Sequence, residues 1–295
     1  MAQIFPKALN PIAKMLVLGL PLLGALSGVT GAAFYRSSYA TGVGETPPQP
    51  VAFSHAHHVG QLGIHCVYCH TTVETSGFAN IPPTKTCMNC HQQIWQGADL
   101  LEPVRDSYKK NTPIEWNRVH NLPHYAYFNH SIHVAKGVGC VTCHGRLDQM
   151  NLTMQASTLL MEWCIACHRA PEKHLRPKDE VFNMQWDASQ LNNPKKTRFN
   201  LTDQSVDNLR NEKVPDAVLA KLSVLKNKEM GQEDFEKGLA EALGPDDKSK
   251  YFTPVRDQVQ KVYHPYTQRE LGLELKEKHR VRDAVTLTNC SMCHR

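Results

Sequence analysis

Ten cysteines fall without remainder into five Cys-x-x-Cys pairs, and a histidine follows every one. The pairs are Cys66/Cys69, Cys87/Cys90, Cys140/Cys143, Cys164/Cys167 and Cys290/Cys293, trailed by His70, His91, His144, His168 and His294. Paired thiols have three common uses: disulfides, zinc sites and thioether attachment of haem. A disulfide framework gives no reason for the trailing histidine. A zinc site needs two further ligands and does not fix where a histidine falls. With 16 histidines in 295 residues, five such placements by chance are negligible. Covalent haem accounts for the pattern directly, because two sulfurs on one helical turn reach two vinyl groups on one haem edge and the next residue lies beneath the iron. The expectation is five covalently bound haem c groups, with those five histidines as proximal axial ligands.

An electron-transfer iron usually takes a second axial ligand, and sixteen histidines less the five proximal ones leave eleven candidates. The segments "FSHAHH" (53–58) and "FNHSIH" (128–133) share the form Phe-x-His-x-x-His and precede Cys66 and Cys140. Positions i and i+3 of one helical turn project to the same side. His55 with His58, and His130 with His133, are therefore expected to serve two neighbouring irons from each turn. For the fifth iron, His120 in "RVHNLP" is the first choice, with Met161, Met150 and Met154 as thioether alternatives that would raise one reduction potential. A methionine in an apolar run more often fills space. His57, His65, His124, His174, His264 and His279 are expected at the surface, at haem propionates or at interfaces. Phe53 and Phe128 suit either a porphyrin face or ordinary packing.

Each Phe-x-His-x-x-His segment is followed by two attachment sites, so residues 53–91 and 128–169 read as a duplicated two-haem module with cysteine spacings of 21 and 24 residues. Together they form an expected four-haem core over 41–175. From 176 to 295 the chain turns polar and ends in the fifth site, with "DAVLAKLSVLKNK" carrying Val218, Leu219, Leu222 and Leu225 at helical period and "GQEDFEKGLAEAL" a second helix ended by "GPDD". That segment is expected to pack on a partner or wrap the haem core, or else to be a loose polar linker. Only 7% of residues are aromatic. Buried porphyrin would supply the missing apolar mass, giving a mostly α fold with much irregular structure, little or no sheet, and dependence on cofactor for folding.

Residues 15–35 carry no charge over 21 positions, about 31 Å as a helix, which matches a bilayer core. Lys7 and Lys14 precede the run. A cleaved signal sequence is the rival, but the run is long for one. A retained anchor over 1–40 places the lysines in the cytoplasm and the bulk of a single-pass chain on the periplasmic side of the cell membrane. Gly19, Pro21, Gly24, Gly28 and Gly31 suit packing against other membrane helices. The formal charge of +5 is too mild to indicate a nucleic-acid surface.

On these residues the chain resembles the class III multihaem cytochromes c of the cytochrome c3/c7 type, marked by Phe-x-His-x-x-His ahead of Cys-x-x-Cys-His. The resemblance implies that His55 pairs with His70 and His130 with His144, while His58 and His133 serve other irons. The anchor, the five sites and "VHNLPHYAYFNHSIH" are similar to the pentahaem subunits of bacterial alternative complex III. That resemblance covers about residues 10–170 and the last site, and residues 180–285 lie outside it. It implies an electron-transfer subunit rather than an enzyme alone, partnered by integral membrane subunits and by other cytochrome c or iron–sulfur subunits of a respiratory complex. In that role it passes electrons from quinol oxidation to a periplasmic cytochrome or terminal oxidase. Two alternatives stand beside it: a membrane-tethered multihaem quinol dehydrogenase feeding a periplasmic reductase, and a catalytic multihaem reductase with one open iron.

Overall fold

A computed structural model describes residues 6–294, so the tip before Pro6 and Arg295 lie outside the described residues. The chain forms two compact units, 1–184 with 275–295, and 185–274.

The first unit opens with α1 (Leu9–Arg36), the one helix among the described residues long and apolar enough to cross a membrane. It starts before the uncharged run because Lys14 is taken into its first turns. None of its residues is buried. Its polar side chains turn back onto the helix, with Ser27 Oγ donating to Leu23 O at 2.7 Å and Thr30 Oγ1 to Leu26 O at 2.9 Å, which satisfies hydroxyls that hydrocarbon would leave unpaired. A short helix α2 (Ser38–Thr41) follows and ends at Gly42 in the left-handed conformation.

The rest of this unit is short helices joined by irregular chain: a π-helical turn (Ala56–Gln61), α3 (Cys66–Cys69), α4 (Thr84–His91), α5 (Glu102–Lys110), α6 (His130–Ala135), α7 (Val141–His144) and α8 (Met161–Arg169). The four helices that carry attachment cysteines, α3, α4, α7 and α8, contain no fully buried residue. A small apolar cluster of Val51, Leu101 and Val104 backs α4 through Cys87 and Met88.

The second unit has a conventional core. Strand β1 (Arg198–Asn200) pairs antiparallel with β2 (Gln260–Val262), Phe199 opposite Lys261, and α9 (Asp203–Asn211), α10 (Asp216–Leu222) and α11 (Gln232–Gln258) pack around them. Val218, Leu219, Leu222 and Leu225, read from the sequence as one helical face, are all buried with Leu209, Phe235, Leu239 and Val255. Gly244 (φ 69°, ψ 178°) breaks α11 at the "GPDD" stop, and the chain resumes as helix beyond it. Helix α12 (Gln268–Lys278) leads to α13 (Ala284–Leu287) and the last cysteine pair, back in the first unit. The described residues are thus mostly helical, with one small two-stranded sheet among them.

Candidate haem-binding site

Each Phe-x-His-x-x-His segment folds into one turn, and the two turns are alike. Phe53 stands edge-on to His55 at 4.9 Å and stacks on His58 at 4.4 Å; Phe128 stands edge-on to His130 at 4.7 Å and stacks on His133 at 4.5 Å. In both, the second histidine donates its Nδ1 proton to a carbonyl four residues back, His58 to Ser54 at 2.8 Å and His133 to Asn129 at 2.7 Å. The first histidine is held by the other module. His55 Nδ1 lies 3.0 Å from Thr153 Oγ1, and His130 Nδ1 donates to Gly77 O at 2.9 Å. Thr153 and Gly77 each lie between the two attachment sites of their own module, so the duplicated halves grip one another reciprocally.

Four of the five histidines that follow the cysteines are fixed in the same way. His70 Nδ1 donates to Asn80 O at 2.6 Å, His91 to Ile94 O at 3.2 Å, His168 to Leu287 O at 2.9 Å and His294 to Tyr125 O at 3.0 Å. A carbonyl on Nδ1 sets the tautomer and leaves the Nε2 lone pair for a metal.

These rings are brought together in pairs. His58 and His91 have ring centroids 6.2 Å apart, His133 and His168 6.2 Å, and His130 and His144 6.4 Å, the last two pairs within 21° and 14° of parallel. Two metal–imidazole bonds of about 2 Å, with about 1.1 Å from each nitrogen to its ring centre, require about 6.2 Å between centroids on opposite faces of one iron. His55 lies near enough to His70 for the two charges to interact.

The cysteines are not equally covered. Protein partly buries eight of the ten, while Cys90 and Cys290 are exposed. The apolar cluster behind α4 reaches Cys87 and Met88 and goes no further along the helix, so protein covers one sulfur of that pair and leaves Cys90 to solvent. Cys290 stands near the end of the chain, with exposed Ser291 as its neighbour. Exposure does not prevent a thioether bond, which needs only the reach of the sulfur to a vinyl group.

His120 is placed beside His144, at 4.3 Å and 69°, with its Nε2 buried and without a hydrogen-bond partner. That separation is too short to sandwich an iron. Among the described residues the ring against His294 is Tyr125, at 5.7 Å, so His120 does not come opposite the fifth attachment site. Of the methionines, Met161 is 65% exposed and Met150 is buried. Met150 and Met154 line a cavity of about 350 Å³ with Val43, Gly44, Gly145 and Arg146. His279, expected at the surface, at a haem propionate or at an interface, is buried, and its Nδ1 donates to Lys136 O at 2.9 Å. No local sequence pattern distinguishes it; its partner is more than a hundred residues away.

The electrostatics suit neutral ligands. Burial first, then the charges of His120 and His130, push His144 down to about 3; burial, then His70 and His58, push His55 down to about 4. Burial also lowers His58, His120 and His133. Neutral imidazole is the form that binds metal. The more buried thiols move the other way. Burial, then neighbouring thiols, raise Cys140 to about 11, Cys143 to about 12 and Cys167 to about 11. Such sulfurs rest as neutral thiols near neutral pH. All ten cysteines are free of disulfides, and among the described residues no three His, Cys, Asp or Glu side chains converge as a metal-ion site. Unpaired sulfurs on short turns, imidazoles paired at an axial spacing and helices without a core of their own fit covalently attached haem.

Over 98 residues the chain is 34% identical to the "Menaquinone reductase, multiheme cytochrome c subunit" of Nitratidesulfovibrio vulgaris. The likeness is to a multihaem cytochrome c. It covers 32% of this chain and 45% of the relative, so the chain matches less than half of that protein's length. No family model matches the chain.

Proposed function

We propose that the chain is a membrane-anchored pentahaem c-type cytochrome that relays electrons from quinol oxidation within a membrane-bound oxidoreductase complex, delivering them to a periplasmic cytochrome or terminal oxidase. The observation that carries this reading is the set of histidine pairs at 6.2–6.4 Å, each joining a Cys-x-x-Cys-His site to a Phe-x-His-x-x-His turn. Haem held in this way supplies a one-electron couple. The ten cysteines tether it, and His70, His91, His144, His168 and His294 are the proximal ligands. His55, His58, His130 and His133 cap four irons. Two histidines per iron leave no position for substrate, so those four sites transfer electrons and do no bond chemistry.

Helix α1 provides the membrane link, with the bulk of the chain on the periplasmic side. The printed name of the relative, a subunit of a menaquinone reductase, supports a quinone-linked complex with membrane-embedded partners. It also favours a second reading in which the same wire runs from a periplasmic donor toward quinone. A tethered quinol dehydrogenase working without further membrane subunits is the alternative that purification separates.

The test is purification in mild detergent. The expected result is an intact mass of apoprotein with five haems, a low-spin spectrum for at least four of them, and co-purifying integral membrane subunits whose assembly oxidises quinol. Recovery of the lone chain with quinol activity of its own overturns the relay reading in favour of the tethered dehydrogenase. Quinone reduction by the assembly, with no quinol oxidation, reverses the direction of the wire.

A further inference from the structure

Resting on the haem reading above, we propose that the five sites follow the spatial order Cys87/Cys90, Cys66/Cys69, Cys140/Cys143, Cys164/Cys167, Cys290/Cys293, with the Cys164/Cys167 site beside the membrane helix. Sequence order and spatial order then differ at the start of the wire, where the first two sites are exchanged.

Hydrogen bonds and shared turns fix each step. The sites at Cys87/Cys90 and Cys66/Cys69 are neighbours because His58 and His55 leave one turn toward His91 and His70, and because Asn89 Nδ2 donates to Tyr68 Oη at 3.2 Å between the two attachment loops. The Cys66/Cys69 and Cys140/Cys143 sites share the loop 71–80. Its Asn80 carbonyl takes the proximal His70, and its Gly77 carbonyl takes His130, which faces His144. The Cys140/Cys143 and Cys164/Cys167 sites share α6, which sends His130 to His144 and, one turn on, His133 to His168. The last two sites meet through α13, where Leu287 O receives the His168 Nδ1 proton three residues before Cys290. Tyr127, just before the second Phe-x-His-x-x-His turn, donates its backbone N–H to Cys293 O at 2.8 Å. Among the described residues no hydrogen bond joins the attachment motif 87–91 itself to the third, fourth or fifth attachment motif.

The membrane helix is tied to the fourth of these sites. Arg36, the last residue of α1, binds Glu162 bidentately, Nε to Oε1 at 2.8 Å and Nη2 to Oε2 at 2.7 Å. Glu162 lies in the first turn of α8, two residues before Cys164. The chain leaving the anchor is also joined to the segment ahead of α8, since Gln155 Nε2 donates to Thr41 O at 2.9 Å. An electron from the membrane side therefore enters one step from the terminal site at Cys290/Cys293 and three steps from the other end at Cys87/Cys90.

The experiment is an iron-edge anomalous map of the detergent-purified holoprotein, each iron assigned by the cysteines around it. The expected map is an unbranched row of five irons in the order given, with Arg36 nearest the fourth. Five irons at these cysteines in any other succession overturn the order and leave the haem reading standing; irons missing from the cysteine pairs overturn both. A variant supplies a second readout. Cys290→Ser with Cys293→Ser deletes a terminal site with one neighbour, so one of the remaining low-spin resonance signals is expected to shift. Shifts in two or more signals overturn the terminal placement.

Discussion

His133 and His168 face each other across 6.2 Å with their ring planes 21° from parallel, and neither ring needs the other to stay there. His133 is pinned by Asn129 O on its own turn and His168 by Leu287 O. The spacing of the pair is set by backbone, before any iron is considered. A site arranged in advance loses little freedom when its cofactor is attached, and the same carbonyl contact on Nδ1 raises the basicity of the coordinating nitrogen. The turns and loops that supply these carbonyls are thus part of the site.

If this pair caps one iron, His133→Gly opens one axial position and leaves the other pairs intact. The expected result is the appearance of one high-spin, carbon monoxide-binding haem among otherwise low-spin ones, reversed by added imidazole. Electronic and paramagnetic resonance spectra read both effects. An unchanged low-spin spectrum places His133 outside the iron coordination.

How much of this arrangement the sequence discloses depends on range. Thioether attachment demands two sulfurs and an imidazole within five consecutive residues, so all five attachment sites stand out, and the i, i+3 histidines do so for the same reason. The partners that aim those rings, Gly77, Asn80, Thr153 and Leu287, are ordinary residues reached through the fold, and no spacing marks them. Nor does the motif say how far protein covers each sulfur: Cys87 and Cys90 are equivalent in the pattern, yet only Cys87 meets the cluster around Leu101 and Val104. His120 shows the same limit, since the sequence offers it as a fifth ligand while the fold sets it against His144. In the second unit the helical period of Val218 to Leu225 is readable. That Phe199, Leu209 and Val255 close over it is not, because polar residues between them dilute the composition of a segment that nonetheless buries its own core.

Gly137 joins α6 to the third cysteine pair at φ +83°, and a Cβ there would lie 2.6 Å from Arg176 O and 2.7 Å from the His279 ring. Gly137→Ala therefore meets both a left-handed backbone, unfavourable by about 1–2 kcal/mol for an L-residue, and a clash with main chain. A loss of stability at or above that figure is expected in denaturant unfolding. Intact-mass spectra should show a lower fraction of fully loaded chains, because His133 and Cys140 flank the turn. Wild-type stability would mean that His279 and the Arg176 backbone yield without cost.

The Arg36–Glu162 pair is bidentate but half exposed, with side-chain accessibilities of 53% and 52%. Exposed pairs contribute little, because water and salt screen the two charges. Glu162→Gln should therefore leave haem content and the thermal midpoint almost unchanged at moderate salt, with any difference vanishing as salt is raised. A marked drop in the thermal midpoint would show that the pair is shielded from solvent in the assembled complex, by lipid or by a neighbouring subunit.

Acid should unfold the protein from about pH 6.5 downward. His144, held down to about 3, and His55, held down to about 4, stay neutral in the fold while the same side chains in the unfolded chain protonate near 6.5. Below that value the unfolded state binds more protons, so stability falls with pH, by up to about 1.4 kcal/mol per pH unit for each such histidine. The loss from these groups stops once the pH passes their folded values and both states are charged. Above about pH 7 they are neutral in both states and contribute no slope. Burial lowers His58, His120 and His133 as well, which steepens the same window. Urea midpoints followed by circular dichroism should be level between about pH 7 and 8 and drop steadily between about 6 and 4. A midpoint that rises on acidification through that range would show that these imidazoles take up protons inside the folded protein, which is incompatible with neutral rings facing one another as iron ligands.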